Sequence, residues 1–65
     1  MAKKLNLIAE MKRREVSRED IAETLDISLN SVHKKITGQH EFKCDEMFKI
    51  KKRLNTDLTL DELFN

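Results

Sequence analysis

Residues 21–38 of the chain read IAETLDISLNSVHKKITG, and the apolar pattern of this stretch decides which fold is predicted. The apolar side chains fall into two clusters at helical spacing: Ile21, Ala22 and Leu25, then Val32 and Ile36. Ser28 can cap the second helix, and Gly38 stands where a left-handed residue would close it. The stretch therefore predicts two short helices joined by about three residues around Ile27, a helix-turn-helix pattern.

Upstream of this stretch, the sequence predicts two helix boundaries. Leu5, Ile8 and Met11 recur at a spacing of three residues and predict one face of a first helix that ends near Arg14. Ser17, followed three residues later by Asp20, is a capping-box-like start for a second helix over about 18–25.

Downstream, Met47, Ile50 and Leu54 predict a fourth helix over roughly 44–54. Thr59, followed by Glu62, predicts the start of a short fifth helix. The 65 residues contain no proline and one glycine, so few residues break helices. We expect an all-α protein, a compact bundle of about five short helices that forms a single domain over residues 1–65.

Cys44 is the one cysteine of the chain, which excludes an internal disulfide and fits a reducing cytosol. His40 and Cys44 are four residues apart, but a structural zinc site needs four protein ligands and a fourth is missing, so we expect no metal. Cys44 is expected to be a buried or half-buried thiol at the start of the fourth helix. Neither a signal peptide nor a membrane span is recognisable, and a cytoplasmic location is expected.

The net charge is only +1, but the charges are unevenly distributed. Residues 1–14 hold five basic side chains and one acid, residues 17–26 hold four acids and one base, and the tail after Asn55 is purely acidic. A near-neutral total can therefore conceal a dipolar molecule with a basic surface. The alternative is an ordinary solvated surface of mixed charge.

The stretch SREDIAETLDISLNSVHKKITG, residues 17–38, resembles the helix-turn-helix of the lambda-repressor/Cro-type regulators, also called xenobiotic-response-element-type regulators. The resemblance extends to the five helices in order. Three residues depart from the family pattern: Arg18 replaces a usual Gln, Asp26 a usual Gly, and Lys35 a residue that is often apolar. Asp tolerates the left-handed conformation, and we expect the Lys35 stem to cover the core while its ammonium reaches solvent.

The resemblance implies sequence-specific binding of double-stranded DNA by a small regulator, a Cro-like or phage-type repressor, with the helix 29–37 in the major groove. The residues expected to read bases are Leu29, Asn30, Ser31, His33 and Lys34. The candidates for phosphate contacts are Ser17, Arg18, Lys35, Thr37 and Lys43. Asn can pair bidentately with adenine, Lys can donate to guanine, and Leu can touch the thymine methyl group.

The base-reading candidates each have a structural alternative. Leu29 lies three residues before Val32 and could extend the core stripe. Asn30 and Ser31 could instead assist the helix cap, and His33 and the two lysines that follow it could simply be solvated.

One small domain reads only a few base pairs, so a homodimer on two half-sites is expected. The candidate dimer surface is the apolar C-terminal stripe, which consists of Leu58, Leu60, Leu63 and Phe64. The alternative is that this stripe closes the core, and the stripe could also be divided between core and interface.

Other functions find less support in the sequence. No phosphate-binding loop or nucleophile–base pair is recognisable, so we expect no enzyme, no catalytic residue, no cofactor and no small-molecule ligand. The main alternative is a protein-interaction module with the same fold, such as an antitoxin or antirepressor partner. The acidic stretches 19–26 and 57–62 would suit a basic partner protein.

Overall fold

The computed structural model describes residues 4–64, which form five α-helices and no β-strand. The helices are α1 (Leu5–Arg13), α2 (Arg18–Leu25), α3 (Leu29–Ile36), α4 (Cys44–Leu54) and α5 (Leu60–Phe64). Helix α2 packs on α3 and α4, while α5 packs on α1 and α4. The described part measures 26 × 24 × 21 Å, so the helices surround one core and do not form an elongated array. The predicted all-α compact bundle of short helices is confirmed.

All five helices contribute to the core. Its buried apolar residues are Leu7, Met11, Val16, Ile21, Leu25, Val32, Ile36, Phe42, Ile50, Leu54, Leu63 and Phe64. Ala22 and Ile27 are half-buried and pack against this core, as their positions in the 21–38 stretch predict.

The buried face of α1 differs from the predicted one. Leu5 is 66% exposed, whereas Leu7 is fully buried and Met11 nearly so. An α-helix turns by about 100° per residue, so positions seven and eleven lie on one side and Leu5 lies almost opposite Leu7. The core side of α1 is thus marked by Leu7 and Met11, which are four residues apart, and not by the predicted three-residue spacing that starts at Leu5.

The predicted helix starts are confirmed by reciprocal hydrogen bonds. The Asp20 N–H donates to Ser17 Oγ (3.1 Å), and the Ser17 N–H donates to the Asp20 carboxylate (3.0 Å). Thr59 and Glu62 make the same pair of bonds at the start of α5. Ser28 caps α3 by accepting from the Ser31 N–H at 3.1 Å.

A left-handed residue follows each of the helices α1 to α4. These residues are Glu15 (φ 57°), Asp26 (φ 56°), Gly38 (φ 88°) and Asn55 (φ 53°). Asp26 and Gly38 are predicted from the sequence; Asn55 is a residue type that tolerates this region, but Glu15 carries no such signal. After α1 the Val16 N–H reaches the Met11 carbonyl at 2.9 Å, and this bond satisfies an otherwise free helix end.

A buried carboxylate connects α1 to the segment before α5. Glu10 is 4% exposed, accepts a hydrogen bond from the Thr56 hydroxyl, and has the Arg13 and Arg14 side chains at 3.7 and 3.6 Å. The hydrogen bond from Thr56 lowers the pKa of Glu10, with a further contribution from the two guanidinium charges.

The C-terminal apolar stripe closes the core, as the second expectation states, while its use as a dimer surface stays a prediction. Leu63 and Phe64 are buried, and the Phe64 ring meets Phe42 edge-on with centroids 5.1 Å apart. Leu58 and Leu60 are half-buried against the same core. Only parts of these last two side chains remain available for a contact with another molecule.

Replacing Glu15 by glycine is expected to raise the free energy of unfolding by about 0.5–1 kcal/mol, because glycine has no Cβ to oppose a positive φ. Urea unfolding of wild type and variant measures the change. The matched control is Glu23→Gly in the exposed part of α2, which we expect to lower stability by about 1 kcal/mol. Equal losses in both variants would show that the left-handed backbone at position 15 costs nothing.

Candidate nucleic-acid interface

Helix α3 has one fully buried side and one exposed side. Val32 and Ile36 are completely inaccessible to solvent and anchor the helix in the core. Leu29, Asn30 and His33 are exposed, and Leu29 retains 47% of its accessible surface. The alternative in which Leu29 extends the core stripe is therefore wrong.

A shallow depression brings the exposed side of α3 next to the first turn of α2. It is lined by Arg18, Glu19, Leu29, Asn30 and His33, which we call the α2–α3 surface. Three of the five predicted base-reading residues thus lie with Arg18 around one concavity. Glu19 was not singled out in the sequence, because an acid in the first turn of a helix is ordinarily explained by the helix dipole.

The other two predicted base-reading residues, Ser31 and Lys34, are less available for a contact with DNA. The Ser31 N–H donates to Ser28 Oγ, and the Ser28 hydroxyl donates to Ser31 Oγ (2.9 Å), so Ser31 assists the cap of α3. Lys34 is half-buried, and within residues 4–64 it takes part in no ion pair. Its ammonium therefore has no carboxylate partner in this part of the chain.

Two of the predicted phosphate contacts, Ser17 and Arg18, lie at the start of α2, and both are exposed. They line a second depression together with Lys12. The sequence indicated Lys12 only as one of the basic residues of 1–14. The N–H groups of the first turn add the positive end of the helix dipole at this place. Lys43 is exposed but lies at the start of α4.

Thr37 and Lys35 are committed to contacts within the protein. The Thr37 hydroxyl donates to the His33 carbonyl at 2.9 Å. Lys35 Nζ lies 2.7 Å from Glu46 Oε1, and both side chains are only 12% exposed. The expectation that the Lys35 ammonium reaches solvent is wrong, because Glu46 on α4 provides a carboxylate at the place where the stem ends.

The Lys35–Glu46 pair connects α3 to the beginning of α4. Glu46 also accepts the Lys43 N–H at 2.8 Å, and Lys35 Nζ lies 5.9 Å from the centre of the Phe42 ring. Burial raises the pKa of Glu46, but the hydrogen bonds from Lys35 and Lys43 and the Lys35 charge outweigh it and leave this pKa below its ordinary value of 4.5. The pair therefore fixes the C-terminal half of α3 by charge as well as by apolar packing.

The thiol of Cys44 is exposed, contrary to the expectation of a buried or half-buried one. Cys44 is the first residue of α4, and the buried side of that helix begins only at Glu46. Within residues 4–64, no three His, Cys, Asp or Glu side chains are grouped so that they could hold a metal ion. None of the helices in this part of the chain has the length and apolarity needed to cross a membrane.

Comparison of the chain with protein-family models, with curated proteins and with solved structures gives no match.

At pH 7, Glu46→Gln is expected to lower the free energy of unfolding by about 1–3 kcal/mol, because the Lys35 ammonium loses its counter-charge in a half-buried place. The folded-state pKa of Glu46 is depressed, so its stabilising contribution is present above pH 4.5 and is lost as the pH falls through the folded value. The free energy of unfolding of the Glu46 variant should therefore fall less than that of the wild type as the pH is lowered.

Thermal unfolding between pH 3 and pH 7 measures both effects. The matched control is Glu41→Gln, since Glu41 is 84% exposed and its carboxylate forms only a solvent-exposed ion pair, with Lys4 at 3.7 Å. A Glu46 variant that follows the control at every pH would contradict the assigned role of the ion pair.

Proposed function

We propose that this protein binds double-stranded DNA sequence-specifically, as a small transcriptional regulator of the Cro-like or phage-repressor type. The observation that carries the proposal is the two-sided nature of α3: Val32 and Ile36 are completely buried, while Leu29, Asn30 and His33 face solvent beside Arg18. In this proposal α2, the connection 26–28 and α3 act as a helix-turn-helix, and α3 enters the major groove.

The exposed residues of α3 suit direct readout of base edges. Asn30 can make two hydrogen bonds to adenine, and the half-exposed Leu29 can contact a thymine methyl group. Lys34 and His33 add donors for guanine from the same side of the helix. Ser31 contributes less, because its hydroxyl already belongs to the cap of α3.

Phosphate contacts are assigned to the start of α2. Arg18, Ser17 and Lys12 lie together there, and helix N-termini favour anions. Lys35 and Thr37 are given no phosphate contact in this proposal, since one is paired with Glu46 and the other with its own helix.

In this proposal the protein is not an enzyme and needs no metal, cofactor or small-molecule ligand. It would act in the cytoplasm, and it would bind an operator as a homodimer because one short α3 reads too few base pairs for specific regulation.

Asn30→Ala and Lys34→Ala are each expected to weaken binding to the specific duplex by about 5- to 150-fold, the effect of losing 1–3 kcal/mol of base recognition. Both side chains lie outside the buried core, so the melting temperature should change little. Fluorescence anisotropy with a labelled duplex measures the affinity, and circular dichroism measures the melting.

The matched control is Asp57→Ala, an exposed position in the connection before α5. If the Asn30 and Lys34 variants lose stability and binding in parallel, the loss is structural and the base-reading assignment is wrong.

Binding should also weaken steeply with salt, with a slope of log K against log[salt] of about −0.9 per phosphate contact. Arg18→Ala is expected to reduce the magnitude of this slope by about one unit, because one phosphate contact is removed. Anisotropy titrations at several salt concentrations check this. A binding constant for duplex DNA that does not respond to salt would contradict the proposal and favour the protein-interaction alternative.

A further inference from the structure

The outer side of α4 carries an aromatic residue that neither the fold nor the proposed DNA contact uses. Phe48 is 58% exposed, and the other exposed large apolar side chains in residues 4–64 are Leu5 and Leu29. Four residues near it on α4 are also exposed: Cys44, Asp45, Lys49 and Lys52. We call Phe48 and these four residues the outer α4 face.

The outer α4 face has a fixed order of charge along the helix. Asp45, Phe48 and Lys52 follow one another at spacings of three and four residues and therefore lie on one side of the helix. The acids of α4 are in its first turn, whereas the charged residues of its last turn are all basic: Lys51, Lys52 and Arg53. Phe48 thus lies between an acidic end and a basic end of the same surface.

We propose that the outer α4 face binds the same face of a second copy of this chain, with the two α4 helices antiparallel and crossing at Phe48. A two-fold axis through this crossing keeps each flank of α4 beside the same flank of its partner. Asp45 then lies opposite Lys52 of the partner subunit, with the partner's Lys49 next to it, and symmetry makes each contact twice. The two Phe48 rings meet at the centre and leave solvent.

Charge complementarity selects this occupant and this direction. A parallel pair would place Asp45 against the partner's Asp45 and the basic ends against one another, which is unfavourable. The antiparallel pair places unlike charges opposite each other. The two helix dipoles also point in opposite directions, which is favourable. The C-terminal stripe offers less for a dimer, since Leu63 and Phe64 are buried in the core.

Self-association through this face does not require DNA. Its use to hold two α3 helices on two half-sites rests on the proposed function, so the two claims are tested separately. Sedimentation without DNA tests the dimer, and anisotropy with a duplex tests DNA binding.

The first experiment is sedimentation equilibrium of the full chain and of Phe48→Ser. We expect the wild type to dimerise reversibly and the variant to dimerise at least tenfold more weakly, while melting curves show both to be folded. The matched control is Leu5→Ser, which removes a different exposed apolar side chain, on α1. This substitution should leave the dimerisation constant unchanged. A wild type that stays monomeric up to about 1 mM, or equal effects of both substitutions, would overturn the proposal.

The second experiment tests the antiparallel direction by exchanging charges. Lys52→Asp alone should weaken dimerisation about threefold or more, because two aspartates then face each other in each contact. The double variant Asp45→Lys/Lys52→Asp should recover most of the wild-type affinity, since the opposite charges are restored across the interface. A double variant no tighter than the single one would contradict this arrangement. Dimerisation without binding to any duplex would leave the dimer proposal supported and reject the proposed function.

Discussion

The burial of Val32 and Ile36 is the constraint on which the rest of the structure depends. Both side chains are completely enclosed, so α3 has one rotation about its axis in which its apolar side fits the bundle. That rotation leaves Leu29, Asn30 and His33 outside, next to Arg18 at the start of α2. The core packing of an eight-residue helix thereby determines which residues could meet another molecule.

Polar contacts support this packing at both ends of α3. The Ser28 cap holds the first turn, and the Lys35–Glu46 pair holds the last one against α4. A chain of 65 residues buries only about 60% of the surface that its unfolded state exposes, so each such contact is a sizeable part of a small total stability. Lys35 shows how a charged residue can occupy an inner position of a small domain: its stem packs and its charge is matched.

Much of the fold follows from local signals that can be read from the sequence. Ser17, Ser28 and Thr59 start helices where their capping chemistry places them, and Asp26 and Gly38 adopt the left-handed conformation that ends α2 and α3. The exposed side of α3 also follows from the spacing of its apolar residues. These features depend on neighbours within about four positions, which is the range of a helical turn.

The features that sequence reasoning missed depend on distant partners. The burial of Lys35 requires Glu46 eleven positions away, and that of Glu10 requires Thr56 forty-six positions away. The exposure of Cys44 depends on how far the contacts of α4 with the bundle extend toward its first residue, which the spacing of its apolar residues does not indicate. The site candidates are affected in the same way, because a phosphate contact by Lys35 fits its sequence position but not its ion pair.

Selection of binding sites from a pool of random DNA duplexes, at about 150 mM salt, tests the central claim most directly. We expect the protein to enrich a two-fold symmetric sequence whose half-sites are about 10 base pairs apart, the spacing that two α3 helices of a dimer would require. A folded protein that enriches no sequence would contradict DNA recognition by α3. The same α2–α3 surface would then have to serve a protein partner.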